Sequence, residues 1–120
     1  MENEVQIKNF YEVELEDLNN CHDGVGVLKH KELFSGEEFK SGLRFMNYTI
    51  LPPGTTIGDH KHENDEEIYV VLEGKGIMHL DGNSFEVKSG SVIRNKPYGT
   101  HGLVNTGDSD MRVLVFEVAI

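Results

Sequence analysis

Apolar and polar residues alternate with a period of two through much of this chain, broken at short intervals by Gly, Pro, Asn and Asp. Alternation puts successive side chains on opposite faces of a strand. Turn residues at such spacing predict a sandwich or barrel. Residues 11–16 set Tyr11, Val13 and Leu15 against Glu12, Glu14 and Glu16, which predicts a half-buried edge strand. Gly24 to Phe34 predicts a second strand and Ser35 to Glu38 a turn. Leu43 to Leu51 predicts a third strand, stopped by Pro52-Pro53-Gly54. A polar stretch, Asp59 to Glu67, precedes an apolar strand, Ile68 to Leu72, and a turn at Gly74-Lys75-Gly76. Ile77 to Leu80 and Phe85 to Val87 flank Asp81-Gly82, a strong hairpin signal. Lys88-Ser89-Gly90 and Lys96-Pro97-Tyr98-Gly99 read as turns around a short strand at Val92-Ile93. His101 to Asn105 predicts another short strand, and Thr106 to Ser109 the last turn. Met111 to Val118 has the continuous apolar character of a buried strand. The expected fold is all-β, with strands closed on one another so that few edges stay open.

Composition narrows the function classes. At 120 residues the chain is expected to form a single domain, 1–120. A formal charge of −10 argues against nucleic acid or an anionic membrane as partner, since both require a positive field. The single cysteine, Cys21, permits no internal disulfide. The start, Met1-Glu2-Asn3-Glu4, lacks the basic and apolar regions of a signal peptide, and no apolar run approaches the ~20 residues of a membrane helix. The expectation is a cytoplasmic protein with a small-molecule ligand.

The candidate chemistry lies in the histidines. His60 and His62 are separated by one residue, so in a strand both rings share a face. Glu67 follows five residues later, where a loop can return its carboxylate beside them. His101 follows a Pro-Tyr-Gly turn far along the chain. Imidazole and carboxylate suit Mn, Fe, Co, Ni, Cu or Zn. Four such donors leave an octahedral ion two positions for water or substrate. His22, His30 and His79 are expected at the surface. Arg44 and Arg94 are candidates for binding an anionic ligand, because a guanidinium matches a planar carboxylate. Asn47 and Tyr48 fall on opposite strand faces, so one points inward. Glu63 to Glu66 reads as a solvated acidic loop.

The stretch from Gly54 through His60, His62 and Glu67 to Gly74 resembles the first cupin motif, G-x5-H-x-H-x4-E-x6-G, at every fixed position. Gly90 through Pro97, Gly99 and His101 to Asn105 resembles the second, G-x5-P-x-G-x2-H-x3-N, with Pro and Gly each displaced one place toward the histidine. The resemblance covers about residues 43–118 and implies a small single-domain cupin of the conserved-barrel type, a double-stranded β-helix or jelly roll. It implies one divalent transition metal ion (Mn, Fe, Ni or Zn) held by His60, His62, Glu67 and His101. The motif interval favours Glu67 over its neighbour Glu66. It also puts Tyr69 on the inward face and makes Asn105, on the strand face of His101, a candidate partner. With Arg44, Arg94 and Tyr48, these complete the candidate substrate-binding residues. The segment 5–40 is expected to extend the sheet or to pair with a second subunit, and the resemblance favours a homodimer. His22-Asp-Gly-Val-Gly ahead of Pro-Pro-Gly also resembles small cupins compared with oxalate-handling enzymes.

Three functions follow as expectations. The first is a metal-dependent enzyme (decarboxylase, dioxygenase, isomerase or lyase) acting on a small carboxylate or sugar-like molecule. The second is a binding or sensing protein without turnover. The third is a metal that only braces the barrel. A small-molecule site predicts a cavity of several hundred Å3, on the order of 300 or more, and its absence would favour the third.

Overall fold

The computed structural model describes residues 6–120, and in them the alternating positions become the strands of two antiparallel sheets. One sheet holds six strands in the order β1 (Glu16–Asn19), β2 (Val27–Ser35), β3 (Leu43–Leu51), β10 (Met111–Ala119), β5 (Asp65–Glu73) and β8 (Val92–Asn95). The other holds four, in the order β4 (Thr56–Lys61), β9 (Thr100–Asn105), β6 (Lys75–Leu80) and β7 (Asn83–Lys88). From β3 onward the chain crosses back and forth between the sheets, apart from the β6–β7 hairpin within the smaller one, which wraps them into the expected jelly-roll barrel. No described helix is long and apolar enough to cross a membrane.

The period of two decides what lies between the sheets. Along β5, Asp65, Glu67, Tyr69 and Val71 are buried; along β10, Met111, Val113, Val115 and Glu117 are. With Leu28, Leu51, Ile57, Met78 and Leu103 the apolar members of these rows form the main core. The register lines up two inward rows across the larger sheet: Phe45, Glu117, Glu67 and Asn95, then Asn47, Val115, Tyr69 and Ile93. The barrel interior is thus apolar in one part and carries carboxylates and amides in the other.

A second apolar cluster sits on the outer face of the six-stranded sheet. Leu33, Tyr48 and Ile50 are buried there beneath Phe10, Val13 and Leu15. Phe10 stacks on Tyr48 with ring centroids 4.7 Å apart. This corrects the edge strand expected at 11–16. The chain turns at Asn9, whose carbonyl accepts from Glu12 and Val13 N–H, and β1 begins only at Glu16. The alternation holds for Val13 and Leu15, half-buried against exposed Glu12 and Glu14, but not for Tyr11, which is exposed. Docking onto Tyr48, however, satisfies it without a ladder. Residue 5, where the N-terminal strands were expected to start, lies outside the described residues.

Other turns shift for equally local reasons. Asp81 and Gly82 have φ of 49° and 86°, as a two-residue hairpin requires. At Gly74-Lys75-Gly76 only Gly74 bends the chain, with φ 95°. Gly76 opens β6 and lies so close to β9 that a Cβ there would be 2.2 Å from the Val104 carbonyl oxygen. The polar stretch 59–67 is largely strand, because β4 pairs with β9 and β5 with β10, leaving only residues 62–64 as the loop.

Truncating Tyr48 to Ala should remove the anchor of the outer cluster at a cost of about 3–5 kcal/mol. Tyr48→Phe, which loses only the hydrogen bond from Arg112, should cost about 1 kcal/mol. Urea unfolding measures both, and equal effects would show that the aromatic ring is not what holds the N-terminal segment.

Candidate metal centre

Both sheets supply the four motif residues. His60, the next-to-last residue of β4, lies directly opposite His101 of β9, and His62 lies just past the end of β4. Glu67 projects from β5 into the space between. One donor atom from each of the four lies within 4.8 Å of the others, so the group could hold a metal ion. The three Nε2 atoms converge on a single carboxylate oxygen: Glu67 Oε1 is 2.8 Å from His101, 3.2 Å from His62 and 4.0 Å from His60. The His62 and His101 rings lie parallel, 4.6 Å apart.

Hydrogen bonds behind the rings decide which nitrogens face inward. His60 Nδ1 lies 2.8 Å from the Gly58 carbonyl oxygen, which can only accept, so Nδ1 carries the proton and Nε2 presents a lone pair. His62 Nδ1 is likewise 2.8 Å from Asp65 Oδ1. His62 Nε2 then faces Glu67 lone pair to lone pair and is buried without a hydrogen-bond partner. Such an atom is costly alone and is satisfied by a cation. Imidazoles oriented through Nδ1 by a carboxylate or carbonyl are the arrangement divalent transition metals take. The residues therefore fit the ion.

Charge in the cluster is balanced by pairing. Burial pushes Glu67 up, but the hydrogen bond from His101 and the nearby His60 and His62 imidazoles override it and hold the carboxyl at about 2. Burial pushes His101 down, against the hydrogen bond to Glu67. At His60 burial also disfavours the charge, but Glu67 and the Gly58 carbonyl outweigh it and the value is raised. Arg44 Nη1 is 3.2 Å from Asp65 Oδ2 and 3.9 Å from Glu117 Oε2. It thus lies behind His62 rather than in a cavity. Burial, Asp65 and Glu67 all raise Glu117.

The remaining candidates separate by strand face. Glu66 points outward to Arg94, 2.8 Å away on the exposed side of β8. Arg94 therefore does not reach the barrel interior. Tyr48 lies on the outer face, so Asn47 is the inward residue of the pair. Tyr69 is fully buried and meets the His101 ring edge-on at 5.4 Å. Asn105 is occupied by the Leu51 and Ser109 carbonyls and the Gly107 N–H, bracing the turn before β10. His79 is part-exposed and 3.1 Å from Asp59.

Two histidines expected at the surface line the site instead. A cavity of about 90 Å3 adjoins Glu67 and Tyr69 and is walled by His22, His30, Asn47 and Thr49. His22 stacks on His60 with centroids 3.6 Å apart. It sits in a turn where Asn20, His22 and Asp23 all have positive φ. That turn lies against β4 because residue 58 is Gly: a Cβ there would be 2.1 Å from the His22 carbonyl oxygen. The run Asn19-Asn20-Cys21-His22-Asp23-Gly24 signals a turn in the sequence, but not that it folds over His60. The cavity is smaller than expected. A larger one, about 660 Å3, lies on the outer face near Ile7, Lys8, Phe34 and Phe39, far from this chemistry.

Comparison with known proteins places this geometry in a family. The Cupin domain family matches residues 47–117. A Thermotoga maritima protein named "Oxalate-binding protein" is 34% identical over 103 residues, 86% of this chain and 85% of the relative. A crystal structure of a Thermotoga maritima protein described as a "predicted oxalate decarboxylase" superposes with a TM-score of 0.92 at 30% identity, covering 96% of this chain and 100% of the other. The cupin domain of Schizosaccharomyces pombe Cnp3 superposes with a TM-score of 0.82 at 16% identity, over 99% and 77% of the two chains, which shows the fold alone.

In the metal-free protein Glu67 should make stability depend on acid. Its folded value of about 2 lies below the ordinary 4.5, so the pairing contributes fully above about pH 4.5 and is lost as pH falls through about 2. The difference corresponds to about 3 kcal/mol. Urea unfolding across this range should show the acid limb, and Glu67→Gln should flatten it.

Proposed function

The chain belongs to the cupin family, and from that premise we propose that His60, His62, Glu67 and His101 hold one divalent transition metal ion that serves an enzyme acting on a small carboxylic acid. The observation that carries the reading is the convergence of three imidazole Nε2 atoms on the buried Glu67 carboxylate beside a cavity. When bound, the ion supplies Lewis-acid polarisation of a ligand oxygen.

The chain's own residues fit that task. Glu67 neutralises one of the ion's two charges and leaves a net positive centre for a carboxylate. The Gly58 carbonyl and Asp65 keep the lone pairs of His60 and His62 aimed inward, and Arg44 holds Asp65 in place. Leu18, Ile57, Phe45 and Val115 line part of the cavity with apolar side chains, which limits water there. A cavity of about 90 Å3 is well below the roughly 300 Å3 at which sites for larger ligands begin, which favours a two- or three-carbon acid over a sugar. The names of the Thermotoga maritima relatives point to the same class of ligand. The small volume also favours a second reading, in which the ion only braces the two sheets.

Elemental mass spectrometry of the untagged protein should find near-stoichiometric Mn, Fe, Ni or Zn, and His62→Ala should lose most of it while the barrel stays folded. Full occupancy in His62→Ala would refute the ligand set. Asp65→Asn should weaken metal affinity by about 10- to 100-fold by loosening His62. A loaded protein that binds no small acid in calorimetry would leave the bracing role. Binding without conversion of the acid would leave a binding protein rather than an enzyme.

A further inference from the structure

Ile57 packs in the main core and His60 joins the metal cluster, so both face inward from β4. In a regular strand two residues an odd number of places apart point to opposite faces. A β-bulge reconciles them. Ile57 pairs with Leu103 and His60 with His101, so Gly58 and Asp59 together lie against the single residue Gly102. Regular pairing from Ile57 onward would set His60 against Thr100 and turn its ring to the outer face. The bulge therefore aims His60 at the cluster. It also supplies the Gly58 carbonyl that accepts from His60 Nδ1. On the outer face, the bulge is tied down by one side chain. Asp59 reaches past β9 to β6, where His79 Nδ1 donates to its Oδ1 at 3.1 Å. The residue of β9 opposite His79 is Gly102, which is buried. A Cβ there would stand 2.2 Å from Asp59 Oδ1 and 3.0 Å from the Asp59 nitrogen and the Ile57 carbonyl oxygen. Only glycine at 102 leaves room for the crossing.

We propose that Asp59 and His79 are positioning residues for the metal: their hydrogen bond across Gly102 fixes the Gly58–Asp59 bulge, and the bulge aims His60. The proposal rests on the metal reading above and deepens it. Neither side chain belongs to the four-residue cluster. Their effect passes through the backbone of residues 58–60, which sets both the direction of the His60 ring and the carbonyl that orients it. Asp59 and Gly102 each adjoin a motif histidine without being fixed positions of either motif, and His79 lies between the two motifs. The arrangement therefore belongs to this chain's own residues at positions the motif leaves free. Asp59 also carries a negative charge next to His60, and an effect of that charge on a bound cation is separable from positioning. Asparagine at 59 keeps an oxygen that accepts from His79 and removes the charge.

The test is titration of the metal-free protein with Co(II), whose visible bands report the geometry of its ligands as well as occupancy. Wild type should bind one equivalent. Asp59→Ala and His79→Ala should each weaken cobalt binding by about tenfold, the lower end of what losing a group that orients a ligand costs, and should shift the visible bands. The double variant should be no weaker than either single one, since both remove the same hydrogen bond. Asp59→Asn should bring affinity and bands back close to wild type. Both side chains are part-exposed, and the urea midpoint of each metal-free variant controls for folding. Wild-type affinity and bands in Asp59→Ala and His79→Ala would overturn the positioning role while leaving the four-residue site intact. Fully additive losses in the double variant would overturn it as well. So would equal weakening by Asp59→Asn and Asp59→Ala, which would assign the effect to charge. A wild type that takes up no cobalt would overturn both the positioning role and the metal reading.

Discussion

A carboxylate buried between two β-sheets must be paired, and the arrangement around Glu67 follows from that requirement. Burial alone would keep the group neutral. Three imidazoles converging on one oxygen keep it ionised instead. Two of them come from the partnered ends of β4 and β9 and the third from just beyond β4, so the pairing ties the four-stranded sheet to the six-stranded one. The tie in turn demands the Nδ1 contacts to Gly58 and Asp65, and through Asp65 the placement of Arg44. The same four side chains lie close enough together that they could hold a metal ion, whose charge would meet the same requirement.

The two faces of the larger sheet divide the work. Its inner face carries the cluster and cavity; its outer face is closed by Phe10, Val13 and Leu15 packing over Tyr48 and Leu33. The apolar C-terminal strand, β10, therefore finds cover within the chain for part of its outer side. The N-terminal segment also crosses to the inner side, since Leu18 and Cys21 pack against the main core and His22 reaches His60. One stretch of chain thus seals the outside of the sheet and roofs the site inside it.

Much of this was legible from spacing. His-x-His puts two rings on one face, and the intervals to Glu67 and Gly74 match the cupin motif at each fixed position. The motif interval to Gly74 separated Glu67 from Glu66, and in the structure the first faces the histidines and the second Arg94. The same alternation could say that Asn47 and Tyr48 face opposite ways but not which was inside, because both faces of β3 are covered. Segment 11–16 misled for a related reason: a turn docked on an apolar surface buries alternate residues just as an edge strand does.

By itself, then, the sequence determined the all-β class, nearly all strand positions and the four residues of the clustered candidate site, since each depends on local period or on intervals along the chain. Only the tertiary structure decided that His22 and His30 line the cavity, that Arg44 stands behind His62, that Asn105 braces a turn and that the cavity is small. Those facts depend on how two sheets and an N-terminal segment pack across tens of residues of separation. Contacts of that kind leave no periodic trace, because the residues that make them are chosen by the space left between distant strands.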